Sequence, residues 1–330
     1  CTRRTLIMPN YQGVWSLTTQ MQNVSDWPTF LQPTRAIFAG GENASSTLQN
    51  VIEFITTTSL GNATDFGDLS TPNRRGAGFS SATRGIIAGG ANTSGSAINE
   101  IQFLTIATLG NTSDFGDLST TRTWVAGLSN STRGVVGGGG SETNIMEYVT
   151  IATESNVTDF GDLTVGRYSA AGLASTTRGV YCGGRSGPSE LNVMDYITIG
   201  STGNATDFGD LSSNRDYLGN AATSNGTRGI IAGGSGSGGA AQNVVDYITV
   251  ASTGNASDFG DMSSARFALA ACTTGDRSVI GGGQGDNTSD ARNIIEYFTI
   301  TSTGNATDFG DLSDTKTELS GFSNGHGGLS

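Results

Sequence analysis

The string Asp-Phe-Gly-Asp begins at Asp65, Asp114, Asp159, Asp207, Asp258 and Asp308, at intervals of 49, 45, 48, 51 and 50 residues. Recurrence at a near-constant period is the mark of a repeat architecture, in which one supersecondary unit buries its apolar faces against copies of itself. Each copy reads as four short strands: an inner strand like 125–129, a second like 227–232 that ends at a glycine pair, and a third like 244–250, β-branched and alternating. A turn containing Gly-Asn-Ala-Thr then leads to Asp-Phe-Gly-Asp-Leu, read as the outer strand. The third-strand aromatic stands 11 residues before the first Asp in every copy, from Phe54 and Asp65 to Tyr297 and Asp308. Length varies instead between the glycine pair and that aromatic, from 9 residues (Gly139 to Tyr148) to 14 (Gly283 to Tyr297).

With 50 Gly and only 14% charged residues the chain could pass for disordered, but 35% hydrophobic residues in regular short runs require a packed all-β protein. A seventh, degraded copy opens the chain. Trp15 lies 11 residues before Asp26, Asp26-Trp27 stands for Asp-Phe, and Leu6-Ile7-Met8 supplies a second strand. The chain begins at Cys1 with neither initiator Met nor signal peptide, which reads as a processed chain or a fragment.

Gly89-Gly90, Phe103, Phe115 and Arg122, and again Gly183-Gly184, Tyr196, Phe208 and Arg215, follow one order: two glycines, two spaced aromatics, then a basic residue opening the next inner strand. In this the chain resembles the kelch repeat family, departing from it in having Phe for the usual second-aromatic Trp. The Asn/Thr/Gly-rich character is loosely similar to repeat segments of structural proteins from marine tailed phages. The resemblance implies a kelch-like β-propeller over residues 1–330, with seven blades of four antiparallel strands, a degenerate first repeat at 1–34 and full repeats over 35–330. The N- and C-terminal strands are expected to share a blade and close the ring. Because Asp26 and Arg35 are only 9 residues apart, a six-bladed ring over 35–323 with an N-terminal segment outside is the alternative.

The residues argue against an enzyme. Kelch propellers include copper oxidases, but a copper or zinc site needs several imidazoles, and His326 is the only histidine. The same count removes serine and cysteine nucleophile systems of the usual kind. A carboxylate pair for glycoside hydrolysis would have to be unique, whereas Asp65/Asp68 has an equivalent at every other Asp-Phe-Gly-Asp. Recurrence points to structure. Arg84, Arg133, Arg178 and Arg228 of the second strands, together with Asp65, Asp114, Asp159 and Asp207, are therefore assigned to an acid–base ladder between blades, joined by the basic residues Arg122, Arg167, Arg215, Arg266 and Lys316 after outer strands and by the acid before the third-strand aromatic, for which Gln102 is the exception. No cofactor is expected; calcium on the Asn-x-Thr-Asp-x-Gly-Asp turns is the weaker reading, since Asn and Asp stabilise turns unaided. Cys182 and Cys272 fall at core positions and read as inert thiols.

A net charge of −12 excludes nucleic acid and an anionic membrane surface as partners, and no apolar run is long enough to insert into a membrane. The expected role is a structural or adhesion module of a virion or extracellular assembly, such as a phage tail or fibre component, whose partners are protein neighbours or a surface glycan. Its variable loops, marked by Asn92, Arg185, Ser235, Gln284 and Asp286, would form the binding face. A lectin-like propeller using Trp124, Tyr168 and Tyr217 is the alternative, and a glycoside-active enzyme the third reading. The Asn-x-Ser/Thr turns at Asn23, Asn62, Asn111, Asn156, Asn204, Asn255 and Asn305 could carry glycans in a eukaryotic secreted protein.

Overall fold

A third strand such as Val244–Thr249, β-branched and with Val245, Asp246 and Ile248 buried, needs a hydrogen-bonded neighbour on each side. In the computed structural model, which describes residues 34–287 and 290–329, every repeat meets that need in the same way. Among the described residues there are six antiparallel blades of four strands in the order inner, second, third, outer. The second blade is Ala77–Ser80, Arg84–Ala88, Glu100–Thr105 and Ser113–Asp117; the third is Ala126–Ser129, Arg133–Gly137, Ile145–Thr150 and Thr158–Asp162. The fourth is Ala171–Ala174, Arg178–Cys182, Val193–Thr198 and Thr206–Asp210, and the fifth Ala222–Ser224, Arg228–Ala232, Val244–Thr249 and Ser257–Asp261. The sixth is Ala270–Thr274, Arg277–Gly281, Arg292–Thr299 and Thr307–Thr317. A single 3-10 turn, Ser237–Gly239, is the only helix among the described residues.

The first blade joins the two ends of this region. Its inner strand is Ser320–Ser323, paired with Arg35–Ala39, which is followed by Val51–Thr56 and Thr64–Asp68. The six inner strands neighbour one another in a closed circle, Ser320–Ser323 lying between Ala270–Thr274 and Ala77–Ser80. This six-bladed β-propeller corrects the expectation of seven blades. Closure by a shared blade is present, but the strand that meets the C-terminal one is Arg35–Ala39 and not Leu6-Ile7-Met8. The degraded copy at 1–34, with Trp15, Asp26 and Trp27, lies outside the described residues apart from Thr34. The six copies that keep Arg-x-x-x, the glycine pair and Asp-Phe-Gly-Asp already complete the circle.

Three sets of bonds hold the seams between blades. At the outer rim, the Gly-Asn turn of each blade covers the outer strand of the blade before it. Gly203 and Ala205 N–H donate to the carbonyls of Phe160 and Asp162 (2.7 and 2.8 Å), and Asp162 N–H donates to Asn204 Oδ1 (3.0 Å). The same bond from an Asp N–H to an Asn Oδ1 joins Asp68 to Asn111, Asp117 to Asn156, Asp210 to Asn255, Asp261 to Asn305 and Asp311 to Asn62. Open sheet edges invite pairing with other chains, and here the neighbouring blade occupies each one. The glycine of Asp-Phe-Gly-Asp is required by this approach: at Gly209, with φ +136°, a Cβ would stand 2.5 Å from the carbonyl oxygen of Gly254.

At mid-radius lies an ion pair, buried in five blades: Arg122–Glu147, Arg167–Asp195, Arg215–Asp246, Arg266–Glu296 and Lys316–Glu53. Each base lies eight residues after the first Asp of the motif. In the second blade both members change together to amides. Asn73 Nδ2 donates to the Gly89 carbonyl (2.6 Å), and Gln102 Oε1 accepts from Ser70 and Thr112 hydroxyls (2.8 and 2.7 Å). Burial lowers the pKa of Arg167, Arg215 and Arg266 and brings that of Arg122 down to about 10.

The second-strand arginines form the third set, and here the sequence-based assignment is corrected. Arg84, Arg133, Arg178 and Arg228 are half-buried and stack on Phe103, Tyr148, Tyr196 and Tyr247 with 4.6, 4.1, 4.5 and 4.7 Å to the ring centre. Their Nη1 atoms donate to the carbonyls of Ile151, Ile199, Val250 and Ile300 in the next blade (3.3, 2.9, 3.1 and 3.1 Å). Among the described residues only Arg84 of these four meets an acid, the exposed Glu154 at 2.8 Å. Asp65, Asp114, Asp159 and Asp207 are solvent-exposed and form no ion pair with a described residue. An arginine cross-strand from an aromatic satisfies its charge by the ring face and carbonyls, so a carboxylate is not needed.

Two outcomes test this account. Gly209→Ala should cost about 1–3 kcal/mol of stability in urea unfolding, because a left-handed residue is pushed against backbone. Arg215→Met should cost about 3–5 kcal/mol by stranding Asp246, whereas Arg215→Met with Asp246→Leu should recover most of it.

Candidate functional site

The long loops between second and third strands share one face with the connections between blades, as the bridges Arg74 to Ala91, Tyr168 to Arg185, Asp216 to Ser235 and Phe267 to Gln284 require. At the centre of that face the connections meet around the axis. Arg75, Trp124, Ser169, Tyr217, Ala268 and Glu318, each ten residues after the first Asp of its motif, all have left-handed backbone with φ between +47° and +64°. Their amides form a closed circle. Trp124 N–H donates to Arg75 C=O, Ser169 to Trp124, Leu218 to Ser169, Ala268 to Tyr217, Glu318 to Ala268, and Arg75 to Glu318, at 2.7–3.1 Å. The circle skips one residue, at Tyr217, where Leu218 takes the donor role. Such backbone costs a non-glycine residue of order 1 kcal/mol or more and persists only where the surroundings impose it.

The side chains on this circle differ in every blade, although the repeat is near-identical elsewhere. Trp124 meets Tyr217 edge to face at 4.8 Å, and Tyr217 meets Phe267 at 5.6 Å. The Arg75 guanidinium lies 4.6 Å over the Trp124 ring and forks onto Glu318 at 2.7 and 2.8 Å. Arg74 pairs with Glu42 and approaches Glu318 at 3.6 Å. Beside Tyr217, Arg185 bridges Asp216 at 3.0 Å and Glu190 at 3.2 Å. Burial raises the pKa of Asp216, opposed by its bond to Arg185, and burial next to Asp216 raises that of Tyr217. Below the circle Asn220 reaches across the axis, donating to Gly76 and Leu319 carbonyls (3.0 and 3.1 Å) and accepting from Gly78 N–H (3.0 Å).

The five loop residues marked in the sequence all lie on this face, but they do different things. Asn92 Oδ1 accepts from Ser94 and Ser96 N–H and shapes its own loop. Arg185 belongs to the mouth cluster. Ser235 is buried, bridges Asp216 and Ala241 through main chain and gives its side chain to the Asp216 carboxylate, and Gln284 bridges Phe267 and Ala291 through main chain. Asp286 is exposed and its Oδ1 accepts from Ala241 N–H at 2.7 Å, tying two neighbouring loops together. Of the edge aromatics, Trp124 and Tyr217 come together, and Tyr168 lies near them through its bridge to Arg185. Arg75, Asp216, Phe267 and Glu318 were not singled out from sequence. Aligning the copies on Asp-Phe-Gly-Asp would have found them, because the ninth and tenth positions after the Asp diverge while the eighth stays basic or amide.

Asn62, Asn111, Asn156, Asn204, Asn255 and Asn305 use their carbonyl oxygen to cap the adjoining outer strand, so it is not a free cation ligand. Among the described residues, no three His, Cys, Asp or Glu side chains gather closely enough to hold a metal ion. Cys182 and Cys272 are buried, which pushes both thiols up to about 12. No protein-family model matches the sequence, and no curated protein matches it either. Thiol-directed alkylation of the native protein, mapped by peptide mass, should leave Cys182 and Cys272 unmodified until denaturant is added.

Proposed function

We propose that this propeller is a non-enzymatic binding module, a structural or adhesion part of a virion or extracellular assembly, that meets its partner with the loop face around Trp124, Tyr217 and Arg75. The observation that carries the reading is where the blades differ. Loop length and connection residues diverge on one face, whereas the opposite face repeats one latch and one arginine bridge throughout. The recurring arginines and the acids before the third-strand aromatics are taken up by the seams, and what remains distinctive is a half-exposed aromatic cluster with arginines held in fixed geometry. Aromatic and arginine side chains of this kind are the residues that anchor protein interfaces.

A surface glycan is the second reading, favoured by the same half-exposed rings of Trp124, Tyr217 and Phe267, since sugars stack on aromatic faces. Glycan-array binding abolished by Trp124→Ala would support it over a protein partner.

Replacing the loop 235–241 by the short 140–143 loop should change partner binding at least about tenfold while circular dichroism and melting temperature stay near those of the parent. Cross-linking within the parent assembly should place partner contacts on the loop face. Contacts found only on the latch face, or attachment unchanged after several loop exchanges, would overturn the assignment.

A further inference from the structure

The axial channel has a second mouth, on the latch face, and the residues that follow the last inner strand lie across it. A ring of serine hydroxyls is built there. Ser129 Oγ donates to Ser80 C=O (2.8 Å), Ser80 Oγ to Ser323 C=O (2.7 Å), Ser323 Oγ to Thr273 C=O, and Ser224 Oγ to Ala174 C=O (2.8 Å). The ring is interrupted twice: Thr273 makes no such bond and leaves Ser224 C=O, while Ala174 has no hydroxyl to offer Ser129 C=O. Residues 324–329 cap one interruption with a hydrogen bond and pack against the other. Gly327 N–H donates to Ser224 C=O at 2.7 Å. Gly328 lies so close to Ser129 that a Cβ would stand 1.9 Å from its carbonyl oxygen.

Between these two glycines' contacts sits His326, turned into the channel mouth. Its Nδ1 accepts from Gly328 N–H (3.1 Å), so the proton is on Nε2, which donates to Ser80 C=O at 2.9 Å. Upstream, Gly325 C=O accepts from Gly275 N–H (3.3 Å), and Asn324 Oδ1 accepts from Arg35 N–H (2.8 Å). The tail thus touches the first, second, third, fifth and sixth blades.

We propose that residues 324–329 are a strap that locks the ring across the latch-face mouth of the channel and releases it on acidification. The strap holds only while the imidazole is neutral, because a second proton would set Nδ1–H against the Gly328 N–H. The groups facing the ring are the Ser80 carbonyl, the Ser129 hydroxyl and the Gly328 amide. Along the wall of this cavity of about 50 Å³ the other titratable group is the Cys272 thiol, and no carboxylate or guanidinium lines it. Arg35 directs its guanidinium outward onto Phe54 and Ile106 C=O, away from the imidazole. Burial pushes His326 down to about 4. A histidine depressed in the folded state contributes stability that is complete above the free imidazole value of about 6.5 and is lost as pH falls through that window toward 4.

The 330-residue chain has one histidine, so its imidazole resonances are unambiguous. The expected NMR titration midpoint lies more than about one pH unit below the free value of about 6.5. Hydrogen exchange at Gly327, corrected for intrinsic pH dependence, should be protected at neutral pH and accelerate at least about tenfold near pH 4. His326→Gln should abolish that acid-induced step, and a chain ending at Ser323 should melt at lower temperature at neutral pH. An imidazole titrating near its free value, an unprotected Gly327 amide at neutral pH, or full acid sensitivity retained in His326→Gln would overturn the proposal. If the shortened chain does not fold, the titration and exchange of the intact protein decide it.

Discussion

A buried cation at five of the six blade seams is the constraint from which most of the repeat follows. Arg215 shows how. Its main-chain carbonyl accepts from Gly184 N–H in the fourth blade, while its guanidinium donates to Gly233 and Val244 carbonyls and pairs with Asp246 in the fifth. A side chain with no exposure must have its charge matched, and Arg215 does this through both Nη groups while its Nε is left without a partner. That demand fixes the acid before the third-strand aromatic. It also fixes the glycine pair, because at Gly183, with φ +59°, a Cβ would stand 2.8 Å from the Arg215 carbonyl oxygen. The second blade shows that the geometry outranks the charge: Asn73 still donates to Gly89, and Gln102 changes with it.

Much of this was legible in the sequence because the repeat is short and stiff. The period, the four strands, the faces on which loops lie and the core placement of Cys182 and Cys272 follow from spacing alone. Blade number was not. Residues 15–27 keep enough of the pattern to read as a copy, but spacing cannot say which strand meets Ser320–Ser323, and register gives that place to Arg35–Ala39. The ladder was half legible for a related reason. Five of the six repeats offer two basic residues and one buried acid, and composition does not reveal that the second-strand arginine faces an aromatic ring. The mouth cluster was hidden by the opposite effect. Attention to what recurs passes over Arg75, Trp124, Tyr217 and Glu318, whose meaning lies in their not recurring.

The two faces consequently carry different kinds of information. On the latch face each blade does to its neighbour what every other blade does, so a change there is a change in assembly of the ring. On the loop face the circle of backbone amides keeps six positions in place while leaving their side chains open to choice. Arg75 can therefore fork onto Glu318 across the closing seam while Trp124 and Tyr217 meet from blades that are not adjacent.

Closure by Ser320–Ser323 also sets an order of events during synthesis. The first blade has its second, third and outer strands by Asp68, yet its inner strand leaves the ribosome about 250 residues later. Until then Arg35–Ala39 has an unpaired edge, and the second blade's inner strand lacks one of its two neighbours in the circle. The nascent chain is thus a growing arc with a sticky leading blade, and it becomes a propeller only once Ser320–Ser323 has been made.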